Sequence, residues 1–194
     1  MSGLVQKIHS CRLCAARFAA TATAHCPRPV PWFDARAKVL LAGQAPGARV
    51  HASGRPFDDP SGERLRRWLA LSPEAFYDRA KIAIVPMAFC FPGYDSHGRD
   101  LAPPPICAQT WHSDVMQSLP ALKLRIVIGG AAQRYHLGAR GTVTETTRRW
   151  RDHAPQVFPL PHPSWRNTGW IKKNPWFEAE LLPELRAALK EALP

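Results

Sequence analysis

Four short apolar runs rich in β-branched residues, at 38–42 (KVLLA), 81–85 (KIAIV), 124–128 (LRIVI) and 156–160 (QVFPL), constrain this fold most strongly. They are too short for helices and too continuously apolar for strands with one wet face, so they suit buried parallel strands. Helical patterns separate or follow them at 61–71, about 106–119, 131–137 and 175 to about 193. Parallel neighbours need a crossover long enough to hold a helix. The alternation therefore predicts an α/β fold, three α/β/α layers around a small central sheet of about four parallel strands. The 194 residues show no internal repeat and no break in composition, so 1–194 is expected to be a single domain.

Charge narrows the function. A formal net charge of +11 predicts a polyanionic partner, because Lys and Arg facing phosphates release counterions. A basic protein without such a partner is the plain alternative. No apolar run reaches membrane-spanning length, and the opening MSGLVQKIHSC lacks the apolar stretch of a signal peptide, so no membrane association and a cytoplasmic location are expected. In that reducing setting an odd count of five cysteines argues for metal ligands or free thiols over disulfides. Cys11 and Cys14 form a CxxC pair, with Cys90 and Cys107 far downstream and Cys26 left over. Two thiolates on one tight turn suit zinc or an iron-sulfur cluster equally, and ordinary buried thiols are a third possibility.

Ligands of parallel sheets sit beyond the carboxyl ends of the strands. The loops leaving the first, second and fourth runs read 43–47 (GQAPG), 86–90 (PMAFC) and 161–167 (PHPSWRN). Twenty prolines gather between the apolar runs and predict stiff connections.

GQAPG after the first strand, GRPF at 54–57 and HPSWRN at 162–167 together resemble the uracil-DNA glycosylase superfamily over most of the chain. The cysteine pattern is similar to that of its family-four and family-five bacterial and archaeal branches, which bind a [4Fe-4S] cluster. That resemblance implies Cys11, Cys14, Cys90 and Cys107 as cluster ligands, with zinc the runner-up metal and Cys26 free. It further implies a monomeric DNA-repair enzyme that flips uracil out of DNA and hydrolyses its glycosidic bond, leaving an abasic site. The alternative is a module that binds uracil-containing or abasic DNA and turns over slowly.

The resemblance also assigns roles. His162 would donate to uracil O2 as the base departs as an anion, although most loop histidines do no chemistry. Phe57 would stack on the flipped base, and backbone groups around Gly43 and Gln44 would help hold it. Asp59 would orient water, with Asp58 in reserve and Gln44 a weaker water holder, since an amide is no general base. Asp59 before Pro60 is equally a good helix N-cap. Arg166 would enter the gap left by the flipped base, assisted by Trp165, while Gly47, Ser164, Lys172 and Lys173 would face the DNA backbone. The loop at 91–105 is expected to face DNA. Two positions depart from the resemblance: Gly47 where one major family carries Tyr, and Pro86 where many relatives carry a base-reading Asn; Ala45 stands where some families carry Asp or Asn, an absence shared with the cluster-containing branches.

Overall fold

The computed structural model describes residues 2–193. Two short helices, α1 (Ser2–His9) and α2 (Ala15–Ala19), precede β1 (Val39–Ala42). Then follow α3 (Ala48–Ser53), α4 (Pro60–Leu69), α5 (Pro73–Tyr77) and β2 (Ile82–Ile84). The second half holds α6 (Pro105–Gln117), β3 (Leu124–Ile128), α7 (Gly129–Leu137), α8 (Val143–Arg148), β4 (Val157–Leu160), α9 (Thr168–Lys173) and α10 (Leu182–Ala192). The four strands form one wholly parallel sheet in the order β2-β1-β3-β4, with Leu41 level with Ile84 on one side and Ile126 on the other.

Strand side chains alternate between two apolar layers, which is why the runs carry almost no polar residue. Val39, Leu41, Ile82, Ile84, Ile126, Ile128 and Phe158 pack toward α4, α5 and α10. Leu40, Ala42, Ala83, Val85 and Val127 pack toward α1, α6 and α7. This is the expected three-layer α/β/α architecture. Pro159 is tolerated within β4 because that strand lies at the sheet edge, where a missing N–H need break no ladder. At the opposite edge Trp32 forms an antiparallel bridge with Ile84 and shields β2.

The helices differ from expectation mainly at their ends. The 61–71 pattern is helical only from Pro60 to Leu69, because Ala70 turns left-handed and ends it. The 175–193 pattern is divided: a wide π-type turn at Phe177–Leu181 precedes α10, whose Pro183 has no N–H to return to the carbonyl four residues back. Among the described residues no helix is long and apolar enough to cross a membrane.

Candidate active site and thiol cavity

The carboxyl ends of the strands open into a cleft of about 690 Å³. Three loops meet there. The loop after β1 is laced to the loop after β2 by the Gly43 and Gln44 carbonyls, which accept from the Met87 and Ala88 N–H groups at 2.9 and 3.2 Å. No protein acceptor receives the Gln44 or Ala45 N–H among the described hydrogen bonds, and both residues line the cleft.

Phe57 lies against this loop, its ring 3.8 Å from where a side chain on Gly43 would begin. Its backbone is left-handed, with φ of 55°, a conformation that a bulky residue adopts only when its surroundings impose it. The surroundings are visible. The Tyr77 hydroxyl donates to the Phe57 carbonyl at 3.1 Å, Arg66 reaches the same oxygen at 3.4 Å, and the ring packs edge-on against Phe76. Behind it Gly62 leaves no room for a side chain, since an added Cβ would stand 1.9 Å from the Phe57 carbonyl oxygen.

Asp59 has two positions in one. Its Oδ1 accepts the Gly62 N–H at 2.8 Å and caps α4, while the residue also lines the cleft and its other oxygen has no partner among the described hydrogen bonds. Asp58 lies outside the cleft lining and is one of the charges felt by the Tyr77 hydroxyl.

After β4, His162 lines the opposite wall. Its Nδ1 accepts the Ser164 N–H at 3.2 Å, so the proton of the neutral ring sits on Nε2, the free nitrogen. The ring is exposed through the mouth of the cleft that it lines. Partial desolvation by the cleft wall lowers its pKa, while the charges of Asp59 and Asp100 raise it. Asn167 clamps the loop by donating to the His162 carbonyl at 2.7 Å, and Arg64 of α4 holds its far side through the Ser164 carbonyl at 2.9 Å and the Thr168 hydroxyl at 3.1 Å. Trp165 is 73% exposed and Arg166 is exposed beside it at the cleft mouth. Ser164 caps the following turn through the Arg166 N–H, and Gly47 lines the cleft at the start of α3. Lys172 and Lys173 are exposed in the last turn of α9, outside the cleft lining.

The sequence reading missed two cleft residues. Asp100 comes from the loop at 91–105, and its carboxylate has no partner among the described ion pairs, whereas neighbouring Arg99 is neutralised by Asp95 at 2.8 Å. Asn167 had a signal, since it closes the HPSWRN motif; Asp100 had none. Pro86 lines the cleft as expected, but its carbonyl accepts from the buried His112 Nε2 at 3.0 Å, which draws that oxygen toward the α6 layer.

A second, apolar cavity gathers Cys11, Cys14, Cys90 and Cys107 together with Phe89 and Trp111. No cysteine is in a disulfide among the described residues, and Cys26 is exposed outside this cavity. Burial first, and then the neighbouring Cys107, pushes the Cys90 thiol up to about 12; burial pushes Cys107 up to about 11. A lone thiolate is therefore disfavoured here, and only a bound cation would make several of them tenable. The Phe89 N–H already donates to the Cys107 sulfur at 3.4 Å, the kind of support a ligating thiolate receives. Among the described residues no three His, Cys, Asp or Glu side chains converge tightly enough to hold one metal ion. Four soft donors around an apolar cavity suit an iron-sulfur cluster or a tetrahedral zinc.

Residues 30–186 match the family described as the uracil DNA glycosylase superfamily. The chain belongs to that superfamily. Membership implies a glycosylase acting on DNA in repair, and the matched span includes every wall of the cleft together with Cys90 and Cys107. Cys11 and Cys14 precede it.

Proposed function

We propose that this superfamily member hydrolyses the N-glycosidic bond of uracil in DNA, releasing the free base and leaving an abasic site. One observation carries the reading: an aromatic platform, a carboxylate with an unpartnered oxygen and a tautomerically defined histidine share one cleft. A flipped uracil lies on Phe57 with its O2 toward His162 Nε2. As the C1′–N1 bond breaks, its electron pair moves onto the base, and the Nε2–H stabilises the anion without giving up its proton. A water oriented by Asp59 bonds to C1′ and passes its proton to that carboxylate. Gln44 and the backbone N–H groups beside it hold the base, and Arg166 with Trp165 fills the vacated stack. DNA is held without need of membrane or second subunit.

Cys11, Cys14, Cys90 and Cys107 hold a [4Fe-4S] cluster in this proposal, with zinc as the runner-up. When bound, such a group supplies a cross-link that ties the N-terminal segment to the loops around α6. Anaerobic purification to brown, iron-containing protein is expected; colourless protein with zinc and no iron sinks the assignment.

The engaged carbonyl and the apolar ring of Pro86, which offers no side-chain donor or acceptor to a base, favour a second reading, a module that binds uracil-containing or abasic DNA with little turnover. The deciding experiment is excision from labelled single- and double-stranded DNA, with alkali to cut abasic sites. Uracil- and alkali-dependent cleavage that is lost in Asp59→Asn and His162→Ala, with DNA binding retained, supports the enzyme. Tight binding without cleavage supports the module, and cleavage undiminished in both variants overturns the site.

A further inference from the structure

Beside the cleft lies a separate groove of about 350 Å³, carpeted with positive charge and lined by no acidic residue. Arg12, Arg28 and Arg79 face it, joined by His9, Ser53 and Gly54, over a floor formed by the proline-rich segment 27–31. None of the three guanidiniums has a carboxylate partner among the described ion pairs, although five such pairs occur elsewhere on the surface.

Each arginine is nevertheless held. Arg12 donates to the His9 and Cys11 carbonyls at 3.0 and 2.8 Å. Arg28 donates to the His51 and Ala52 carbonyls at 2.7 and 2.6 Å, at the end of α3. Arg79 stacks over Trp32 with its guanidinium carbon 4.0 Å from the ring centroid. A free surface arginine loses considerable rotamer entropy when it binds an anion; these have already lost part of it. Their remaining N–H groups are aimed by protein contacts, without a negative charge to satisfy them.

The groove adjoins the cleft. Val30 contributes to both walls, and one short stretch of chain runs from Ser53 and Gly54 in the groove to Pro56 and Phe57 in the cleft. A polymer with a charge at every repeat, entering one, is led into the other.

We infer that the arginine groove binds the phosphodiester backbone of the DNA strand flanking the extruded nucleotide, an extension of the binding surface beyond the cleft loops. The inference rests on the proposed DNA-glycosylase reading for its polymer, and its chemistry is that of phosphate recognition by preorganised guanidiniums. It also gives the N-terminal segment a part in DNA binding, since Arg12 sits between Cys11 and Cys14 and Arg28 lies two residues after Cys26.

The test is the salt dependence of binding to labelled duplexes, one with uracil and one without. Removing two phosphate-binding guanidiniums in Arg12→Gln/Arg79→Gln is expected to flatten the slope of log K against log salt by about 1.8, at about 0.9 per neutralised phosphate on duplex DNA. Arg12→Lys/Arg79→Lys keeps the charge and is expected to keep most of the slope. Should the double Gln variant fail to fold, Arg12→Gln alone, on an exposed side chain bonded only to nearby carbonyls, gives half the effect. Duplexes truncated beside the uracil, on one side and then the other, are expected to abolish the parent-variant difference on one side only. An unchanged slope, or a difference that survives both truncations, overturns the inference. Inorganic phosphate that binds the parent but not the Gln variant, with DNA slopes equal, assigns the groove to a free anion instead. A slope difference in protein that excises nothing sinks the glycosylase reading and leaves the groove standing; equal slopes in an active enzyme sink the groove alone.

Discussion

Gly62→Ala gives the most direct test of how the base platform is built. The added Cβ would stand 1.9 Å from the Phe57 carbonyl oxygen and 2.7 Å from both its carbonyl carbon and its Cβ. Reaching ordinary contact near 3.4 Å requires the Phe57 backbone to retreat by about 1.5 Å. It has little freedom to do so, because its left-handed φ of 55° is held by the Tyr77 hydroxyl at 3.1 Å and its ring by Phe76. Overpacking of this kind costs about 1–3 kcal/mol. Strain on the Tyr77 hydrogen bond adds about 1 kcal/mol, and better helix propensity returns about 1 kcal/mol.

A net loss of about 2 kcal/mol lowers Tm by roughly 4–8 °C for a chain of this size. The larger effect is on chemistry. A platform displaced by more than about 1 Å takes the base off its line to His162, and misplacement of that order costs about a hundredfold in rate. Single-turnover excision at saturating DNA, read beside a thermal melt, separates the two effects. Gly169→Ala serves as the control, since nothing lies within 4 Å of its added methyl. A Gly62→Ala protein that melts and excises like the parent refutes the reasoning.

Other outcomes follow from the same geometry. Asp100→Asn removes a charge that raises the His162 pKa, so the acid limb of kcat/KM moves to lower pH; movement to higher pH contradicts the electrostatics. His136 is partly buried beside His112 and Arg125, burial being the main cause that lowers its pKa from 6.5 to about 4. Below pH 6.5 the unfolded chain binds a proton that the folded state refuses, so denaturant-measured stability falls as pH drops toward 4, by on the order of 3 kcal/mol from this group. His136→Leu should flatten that dependence, and an unflattened curve counts against it. Cys107→Ser should lose iron and expose the segment at 20–28 to limited proteolysis, whereas iron content and digestion equal to the parent's exclude Cys107 as a ligand.

The sheet was legible because parallel strands buried on both faces leave an uninterrupted apolar trace; the 124–128 run coincides with β3 (Leu124–Ile128). The short helices α1, α2, α3, α5, α8 and α9 left no comparable trace, being held by contacts made elsewhere, as α1 is through buried Ile8 against the α6 layer. Within the cleft, motifs identified His162, Phe57 and Gln44 as candidates, but spacing alone left Asp58 and Asp59 interchangeable. Their difference is geometric: Pro60 starts α4 and commits the preceding carboxylate to its cap, facing the cleft. Asp100 was invisible because its place depends on how the loop at 91–105 doubles back through the Tyr94–Asp100 bridge. The same limit hid the arginine groove, whose members lie at 12, 28 and 79 and meet only in the folded chain.

One helix sets the spacing of the whole cleft. Along its first turns α4 carries Asp59 as cap, Gly62 against the Phe57 backbone, Arg64 on the His162 loop and Arg66 on the Phe57 carbonyl. Platform, carboxylate and histidine are thus gauged from a single rod, and none can be repositioned without the others. Evolution can vary the loops around such a gauge by insertion or trimming. It cannot add or delete one residue between Asp59 and Arg64, because a step of about 100° would swing Arg64 and Arg66 off their targets together.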